Sequence, residues 1–290
     1  MLFIYNFLFY FFLAISKIFA LFLPKLKERN SNLNKSLAKL DNLDVSQKTI
    51  WFHSASMGEF EQAKPIIEFL KNSFKNSENI NEQKNINEKK IQIVCTFFSP
   101  SGYNSQKNYS FADAICYLPN DTYFSAKKFI EKIKPEVVVF VRYELWLNYL
   151  TILRKKNIFT ILVNATYPTQ LKKSNLLKIF YKKIFNNFNE IYAVSYENTS
   201  YFNELDLKSK IISSNDTRID RITQKVNEAK QFPIISKDLF SKDEIILVAG
   251  SVWKKDVDIL LAAYNKFCEK FPNKLRLILV PHEQIGRAHV

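Results

Sequence analysis

The chain has 290 residues and a mass of 34.1 kDa, which is enough for two domains of ordinary size. A hydrophobic fraction of 47% and an aromatic fraction of 15% exclude a chain that is disordered over its whole length. The formal net charge of +14 favours an anionic partner, which can be a nucleic acid, a membrane surface or a phosphorylated substrate.

The N-terminus does not resemble ordinary soluble sequence. Leu2 to Ser16 carry no charge, and a second apolar run, Ile18 to Pro24, is followed by the basic segment Lys25 to Arg29. This stretch is borderline in length for crossing a bilayer and suits a position in its interface. Basic residues on its C-terminal side keep the rest of the chain in the cytoplasm. We therefore predict a membrane anchor over residues 1–30, with the rest of the chain on the cytoplasmic side.

Two other interpretations of the N-terminus are less favoured. A cleaved signal peptide normally begins with a positive segment, which Met1 to Leu8 lack. A helix buried in the core is the third possibility.

Short apolar runs then alternate with longer amphipathic segments, which is typical of βαβ units. The run Val137 to Val141 is continuously apolar, as expected when helices cover both faces of a parallel sheet. We therefore predict a doubly wound, Rossmann-like α/β domain over residues 31–208. Its predicted strands are Thr49–Ala55, Ile91–Phe97, Ala114–Leu118, Glu136–Val141, Thr160–Asn164 and Glu190–Val194.

Residues 71–90 are mostly Asn, Lys, Glu, Ser and Gln, so we expect a flexible, solvated insert. A second Rossmann-like domain is predicted to begin at residue 209 and to be incomplete at residue 284. Its predicted elements are a strand at Glu244–Ala249, a helix at Lys255–Lys270 and a strand at Leu275–Val280. Residues 285–290 match one reading frame of a common sequencing adapter (ATC GGA AGA GCA CAC GTC), so we expect the native sequence to depart from this one after Glu283.

The chain has only four glycines, and Gly58, Gly102 and Gly250 each lie between a predicted strand and a predicted helix. Glycine allows sharp turns and close approach of the backbone to other groups. Ligands of open α/β sheets bind at this strand-to-helix edge. These three positions therefore indicate candidate sites.

The first candidate site is the segment His53 to Phe60. Glu59 would lie at a helix N-terminus, where it can act as a base on a substrate hydroxyl. Ser56 and Glu59 also fit a capping box, in which both side chains only satisfy helix-end amides. His53 has no Ser-His-Asp order around it, so a hydrolase triad is not indicated.

The second candidate is Glu144, directly after the most apolar strand. It would emerge at the same edge as Glu59, so two carboxylates can converge on one crevice. The structural alternative is a pair between Glu144 and a basic neighbour such as Arg142.

The third candidate is Gly250-Ser251-Val252-Trp253, interpreted as a strand, a turn and a helix start that could present amides to a phosphate. His282 could contact a phosphate or a sugar. The turn is neither a P-loop nor a dinucleotide fingerprint.

Other features carry weaker indications. Leu171 to Phe188 is a basic amphipathic segment that suits either an anionic membrane or an ordinary helix with its apolar stripe in the core. Three distant cysteines, Cys95, Cys116 and Cys268, indicate buried thiols in a reducing compartment. His, Cys and carboxylate residues show no metal-ligand spacing, so no metal is expected.

Together these segments resemble the Kdo (3-deoxy-D-manno-octulosonic acid) transferases, a family of glycosyltransferases. The matching segments are His53–Phe60, Thr96–Gly102, Tyr117–Pro119, Arg142–Asn148, Leu162–Ala165, Asp216–Arg221, Ala249–Trp253 and Val280–Glu283. The resemblance implies a two-domain GT-B fold with a membrane anchor, at the cytoplasmic face of the inner membrane. It further implies inverting transfer from CMP-Kdo to a glucosamine hydroxyl of the lipid A precursor, with no metal or other cofactor and no nucleic-acid partner.

By this resemblance Glu59 would be the general base and Glu144 the second essential carboxylate. The implied acceptor-side residues are Ser56, Gly58, Ser99, Ser101 and Arg142, and the donor-side residues are Arg218, Gly250, Ser251, Trp253 and His282. The family's later motif for nucleotide and sugar does not occur here, so we expect the polypeptide as given to be inactive.

Two further hypotheses remain. One is another GT-B glycosyltransferase with a different nucleotide-sugar donor. The other is a non-catalytic fragment that binds membranes.

Overall fold

The computed structural model describes residues 2–19, 23–84, 90–231, 239–241 and 243–281. They divide into two units between Lys225 and Val226. The tail 285–290 and His282 lie outside the described residues.

Seven parallel strands form the sheet of the first unit, in the order β3-β2-β1-β4-β5-β6-β7. The strand order therefore reverses between β1 and β4, which is the position where open α/β sheets form a crevice. The strands are β1 (Lys48–Ser54), β2 (Ile91–Phe97), β3 (Ala114–Tyr117), β4 (Pro135–Val141), β5 (Phe159–Ala165), β6 (Glu190–Ala193) and β7 (Lys210–Ser213).

Helices connect these strands, and several begin at a residue type that the sequence marks as a cap. Thr122, Ser174 and Ser195 each accept a hydrogen bond from an amide in the first turn of their helix. The helices are α1 (Leu2–Phe19), α2 (Pro24–Leu37), α3 (Met57–Lys84), α4 (Pro100–Gln106), α5 (Tyr123–Ile133), α6 (Leu147–Lys155), α7 (Asn175–Phe185), α8 (Tyr196–Asn203) and α9 (Thr217–Gln231), with 3₁₀ turns at Ala38–Asn42 and Thr169–Lys173.

The core lies on both faces of the sheet because side chains alternate along each strand. Trp51 of β1 and Phe140 of β4 belong to the larger apolar cluster on one face. Phe52 and Val139 belong to the cluster on the other face, which packs under α3. The continuous apolar run of β4 is thus explained by burial on both sides, as predicted.

The first helix is fastened to the domain by polar contacts. The Tyr5 hydroxyl donates to Oδ2 of Asp121 over 2.6 Å, and Nδ2 of Asn148 donates to Oδ1 of Asn6 over 2.8 Å. Within the described residues, no helix combines the length and the apolar character needed to cross a bilayer.

All six predicted strands are confirmed, with bounds that differ by at most one residue at either end. A seventh strand, β7, was not predicted, because Lys210–Ser213 is a short segment with only two apolar residues between polar ones. Since β7 pairs with β6, the first unit continues to Lys225 instead of ending at residue 208. The predicted insert is also different, because α3 continues as helix to Lys84; residues 85–89 lie outside the described residues.

The second unit contains β8 (Ile245–Val252), α10 (Lys254–Lys270) and β9 (Leu275–Pro281), with β8 and β9 parallel. These elements agree with the prediction except that β8 continues three residues further. Ile245 and Val248 of β8 are both 59% exposed in this chain.

Of the three informative glycines, only Gly102 is required by close packing. A β-carbon there would lie 2.7 Å from Cδ1 of the fully buried Phe97 and 3.2 Å from the amide nitrogen of Met57. At Gly58 and Gly250 nothing lies within 4 Å of such a carbon. Close packing within the chain therefore explains the glycine at position 102, whereas the open space at Gly58 and Gly250 leaves room for another group.

We expect Gly102→Ala to lower the free energy of unfolding by about 1–3 kcal/mol, because neither Phe97 nor the adjacent backbone can move without strain. Gly58→Ala is the matched control. It lies in the first turn of α3 with open space around it, so the better helix propensity of alanine should leave stability unchanged or raise it by up to about 1 kcal/mol. Urea unfolding of both variants measures the difference, and equal stabilities would contradict the packing assignment.

Candidate functional site

The candidate site lies where β1 and β4 end side by side. His53 of β1 is paired in register with Phe140 of β4, so the segments that follow both strands emerge at the same edge of the sheet. After β1 the chain turns into α3, and after β4 it passes through residues 142–146 into α6. The strand order reverses between these two strands, so this edge is the crevice predicted from the sequence.

Glu59 lies in the first turn of α3 and is half-buried. Its Oε2 accepts hydrogen bonds from the amide of Ser56 at 3.0 Å and from the Ser56 hydroxyl at 3.3 Å. Half of the predicted capping box is therefore present, because Glu59 bonds the Ser56 amide, whereas the Ser56 hydroxyl donates to Glu59 instead of accepting from a helix-end amide. Within the described ranges no residue donates to Oε1, so capping occupies only one of the two oxygens.

Glu144 is more enclosed than the sequence suggested, with 8% of its surface exposed. Its Oε2 lies 3.0 Å from Nε2 of His53 and 2.6 Å from Nε1 of Trp146. The alternative of an ion pair with Arg142 is wrong: the Arg142 guanidinium lies over the ring of Tyr143, 5.1 Å from its centroid.

His53 was set aside in the sequence analysis, yet it is the central contact of this edge. It is fully buried, and its Nδ1 lies 2.8 Å from Oγ1 of Thr96. The same oxygen accepts from Nε1 of Trp51 at 2.8 Å. The spacing of Trp51 and His53 along β1 was the available signal, since it places the histidine ring on the same face of the sheet as a large apolar side chain, where a polar ring needs partners.

The two carboxylates interact electrostatically. Burial raises the pKa of Glu59, and the negative charge of Glu144 raises it further. The bonds from Ser56 and the proximity of His53 act in the opposite direction but are weaker. The predicted convergence of Glu59 and Glu144 is therefore confirmed, with Glu59 the more accessible of the two.

The predicted serines of the acceptor side mainly shape the backbone. Ser99 caps α4 by accepting from the amide of Gly102 at 3.2 Å, and its own amide donates to the carbonyl of Ala55 at 2.9 Å. Ser101 is exposed, 3.2 Å from the Ser99 hydroxyl. These bonds hold the start of α4 against the turn that carries Glu59.

Arg142 has a left-handed backbone with φ of 69°, and its amide donates to the carbonyl of Val163 at 2.9 Å. Burial raises the pKa of Asp216, but the hydrogen bonds from Arg218 outweigh this effect and lower the pKa. The positive charge of Arg142 makes a smaller contribution in the same direction as those bonds. Arg218 forms an ion pair with that same Asp216. Arg142 and Arg218 therefore both act on the same carboxylate, and only Arg218 bonds it directly.

A further contact, not predicted from the sequence, fixes the start of α9. Nδ2 of Asn164 donates to Oγ1 of Thr217 at 2.7 Å, and the Thr217 amide donates back to Oδ1 of Asn164 at 3.1 Å. The Thr217 hydroxyl donates to the carbonyl of Gln62 in α3 at 2.7 Å. Residues 216–218 are thereby held at the carboxyl edge of the sheet.

In the second unit the predicted Gly-Ser turn is wrong. Gly250 and Ser251 still belong to β8, and the register with β9 shifts between Gly250 and Val252. The left-handed residue is Ser251, with φ of 62°, so the segment is a bulge at the end of a strand. Trp253 precedes α10, and its amide donates to Oδ2 of Asp256 at 2.9 Å.

Residues 25–221 match the family described as 3-deoxy-D-manno-octulosonic-acid transferase (kdotransferase), which is well over half of the chain. The chain belongs to this family. The Kdo transferase of Aquifex aeolicus is 30% identical over 242 residues, covering 83% of this chain and 56% of the relative. That of Haemophilus influenzae is 24% identical, covering 81% of this chain and 52% of the relative. The chain spans about half the length of these curated relatives.

Two solved structures that resemble this chain in fold contain UDP-GlcNAc or UDP. The UDP-GlcNAc 2-epimerase of Neisseria meningitidis, bound to UDP-GlcNAc, gives a TM-score of 0.53 at 12% identity, covering 80% of this chain and 64% of that chain. MnaA of S. aureus, solved with UDP, gives a TM-score of 0.51 at 12% identity, covering 82% of this chain and 64% of that chain. This likeness supports the GT-B-type expectation at the level of the fold.

Replacing Glu59 by glutamine should stabilise the fold at neutral and higher pH. A carboxyl whose pKa is raised on folding favours the protonated form, so the parent loses stability as the pH rises from the ordinary value of 4.5 through the folded pKa. Glutamine keeps the capping bonds and never ionises. Urea unfolding of both proteins between pH 4 and 8 should show an advantage of Glu59→Gln that grows with pH.

Glu61 supplies a control, because its pKa is shifted in the direction opposite to that of Glu59. Burial opposes its ionisation, but hydrogen bonds from Lys64 and Arg221 outweigh that effect and lower its pKa to about 2. Glu61→Gln should therefore be less stable than the parent at neutral pH, with the deficit shrinking as the pH falls from 4.5 towards 2. Identical pH profiles for the two variants would contradict the assignment.

Proposed function

We propose that the full-length protein transfers Kdo from CMP-Kdo to a glucosamine hydroxyl of the lipid A precursor, with inversion, as a step of lipopolysaccharide synthesis. The observation that carries this proposal is the pair of carboxylates at the β1–β4 edge, one half-open and one buried, in a chain that belongs to the Kdo transferase family.

The chemistry assigned to Glu59 is general base catalysis. Its carboxylate takes the proton of the acceptor hydroxyl while that oxygen forms a bond to the anomeric carbon of Kdo. The bond from this carbon to the phosphate of CMP breaks, and CMP leaves with the electron pair. The raised pKa makes Glu59 a stronger base than an ordinary carboxylate, and Oε1 accepts no bond from the described residues.

Glu144 supports this step without contact to the reacting atoms. It is buried and already bonded to neighbouring side chains, so it acts by placing a fixed negative charge near Glu59. A charge at this position increases the proton affinity of Glu59.

The remaining residues divide by substrate. We assign Ser56, Gly58, Ser99, Ser101 and Arg142 to the acceptor side, where Gly58 has open space around it. Arg218, Gly250, Ser251, Trp253 and His282 are assigned to CMP-Kdo. No metal or other cofactor takes part in this proposal, so EDTA should leave the rate unchanged.

The acceptor is a lipid, and two helices of the first unit support binding at the cytoplasmic face of the inner membrane. Phe3, Phe7 and Phe11 of α1 are 82%, 65% and 61% exposed, and Leu176 of α7 is 78% exposed. Ile4 of α1 lines one apolar groove together with Leu176 and other residues of α7. Lysines of α7 can contact anionic lipid beside this groove.

In the full-length protein, Glu59→Gln should lower kcat by about 10²–10⁴-fold, because the acceptor hydroxyl then lacks its base. Glu136→Gln is the control, since Glu136 is an exposed carboxylate at the amino end of β4, at the opposite edge. Transfer of labelled Kdo to the lipid A precursor measures both variants. Retained activity in Glu59→Gln would show that another group is the base.

The donor is tested by substitution of the nucleotide sugar. Turnover with CMP-Kdo and none with UDP-sugars is expected. Turnover with a UDP-sugar alone would favour the alternative of a different GT-B glycosyltransferase.

Membrane binding is tested by co-sedimentation of this chain with vesicles that contain anionic phospholipid. Leu176→Glu should reduce binding, because it places a carboxylate on the apolar groove at a position too exposed to affect folding. Val45→Glu is the matched control, since Val45 is 93% exposed and precedes β1 at the opposite edge of the sheet. Equal binding of the two variants would assign the apolar groove to another role.

A further inference from the structure

Three polar atoms meet in a triangle beneath the candidate site. They are Nε2 of His53, Oε2 of Glu144 and Nε1 of Trp146. The distance is 3.0 Å from His53 to Glu144, 2.9 Å from Trp146 to His53 and 2.6 Å from Trp146 to Glu144. Only two hydrogens can lie within this triangle if the histidine is neutral and Glu144 is ionised. The position of those hydrogens decides what holds Glu144 in place.

The indole of Trp146 has a single hydrogen on Nε1, and it cannot form a full bond to two acceptors. Glu144 lies closer than His53, at 2.6 against 2.9 Å, and a carboxylate is the stronger acceptor. The indole hydrogen is therefore assigned to Glu144. Nε2 of His53 then faces the same oxygen at 3.0 Å, where a bare lone pair would be repelled and an N–H is attracted.

The opposite side of the ring leads to the same assignment. Trp51 can only donate, so Oγ1 of Thr96 accepts from it and keeps its own hydroxyl hydrogen free. That hydrogen can go to Nδ1 of His53 at 2.8 Å or to the carbonyl of Phe52 at 3.4 Å, and the shorter contact is the better bond. Nδ1 is then an acceptor, which leaves the ring hydrogen on Nε2.

We propose that His53 is a positioning residue whose neutral ring, protonated on Nε2 and oriented by Thr96, donates to Glu144 and fixes that carboxylate beside Glu59. The hydrogen-bond assignment stands on the geometry alone. Its consequence for the transfer reaction rests on the proposed function.

The arrangement gives His53 a defined effect on the site. Glu144 is buried, and two N–H donors compensate the removal of its carboxylate from water. Loss of the His53 donor would let the Glu144 side chain move and would weaken its action on Glu59. The defect should therefore appear in kcat, with little change in the KM for the acceptor.

The hydrogen position is measured directly by nitrogen-15 NMR of this chain, labelled on histidine, at neutral pH. The sequence contains three histidines, so His53→Gln identifies the His53 signals by their loss. We expect a protonated Nε2 and a bare Nδ1. A ring protonated on Nδ1, or on both nitrogens, would overturn the proposal.

Thr96→Val and Thr96→Ser are a matched pair for the orienting bond. Valine has the shape of threonine but no hydroxyl, whereas serine keeps the donor. We expect the valine variant alone to change the Nδ1 signal of His53, because only that variant lacks the hydroxyl hydrogen that Nδ1 accepts. Identical spectra for the two variants, with both folded by circular dichroism, would contradict the role given to Thr96.

Activity of the full-length protein provides the second measurement. His53→Leu should lower kcat by about 10²-fold through misplacement of the site, and His53→Gln should recover part of this loss because its amide can still donate to Glu144. Equal kcat values for these variants would overturn the proposal.

If CMP-Kdo is not a substrate of the parent but Nε2 is protonated, the proposed function fails and the hydrogen-bond assignment stands. If the parent transfers Kdo normally but the ring is protonated on Nδ1, the hydrogen-bond assignment fails and the proposed function stands.

Discussion

The parallel pairing of β1 with β4 is the constraint on which the site depends. The two strands are far apart in sequence, and the chain returns to pair β4 against β1 only after β2 and β3 have filled the other side. Because both strands run the same way, the turn carrying Glu59 and the segment carrying Glu144 emerge together. A shift of one residue in this pairing would turn His53 away from Glu144 and replace a buried polar contact with an unpaired group.

The two carboxylates at this edge have different environments, and the difference accounts for their different proposed roles. Glu144 is enclosed and receives hydrogen bonds from Trp146 and, in our assignment, His53. Glu59 is half-open and receives bonds on one oxygen only. A fixed charge beside a more accessible carboxyl raises the proton affinity of the accessible one, which suits a base. The same arrangement lowers stability at neutral pH, so the fold carries an energetic cost at the place where chemistry is proposed.

The sequence was sufficient to predict six of the seven strands of the first sheet, their parallel arrangement, and the placement of Glu59 and Glu144 at one edge of it. These features follow from apolar runs and from residues directly after them, which are local signals. The conformation of Ser251 and the contacts of His53 could not be predicted from the sequence, because each depends on a partner that lies far away in the chain. Ser251 takes a left-handed conformation where β8 bulges against β9, although Gly250 is the residue that local rules favour there. His53 is explained only by Thr96 and Glu144, which β2 and the segment after β4 bring to it. The boundary between the units was misplaced for a similar reason, since β7 has too few apolar residues to be recognised without its pairing to β6.

One buried carboxylate connects the N-terminal helix to this edge of the sheet. Asp121 accepts the Tyr5 hydroxyl of α1, and it also accepts the amides of Asn148 and Tyr149 in the first turn of α6. Burial raises the pKa of Asp121, and these three donors oppose that effect by favouring the charged form. The first turn of α6 follows Trp146 directly, so the residue that donates to Glu144 is attached to a helix whose start is fixed by Asp121. Hydrogen bonds to a single side chain thus connect α1 with the start of the helix that follows Trp146. A lipid surface that binds α1 would therefore also act on the segment that holds Glu144 in place.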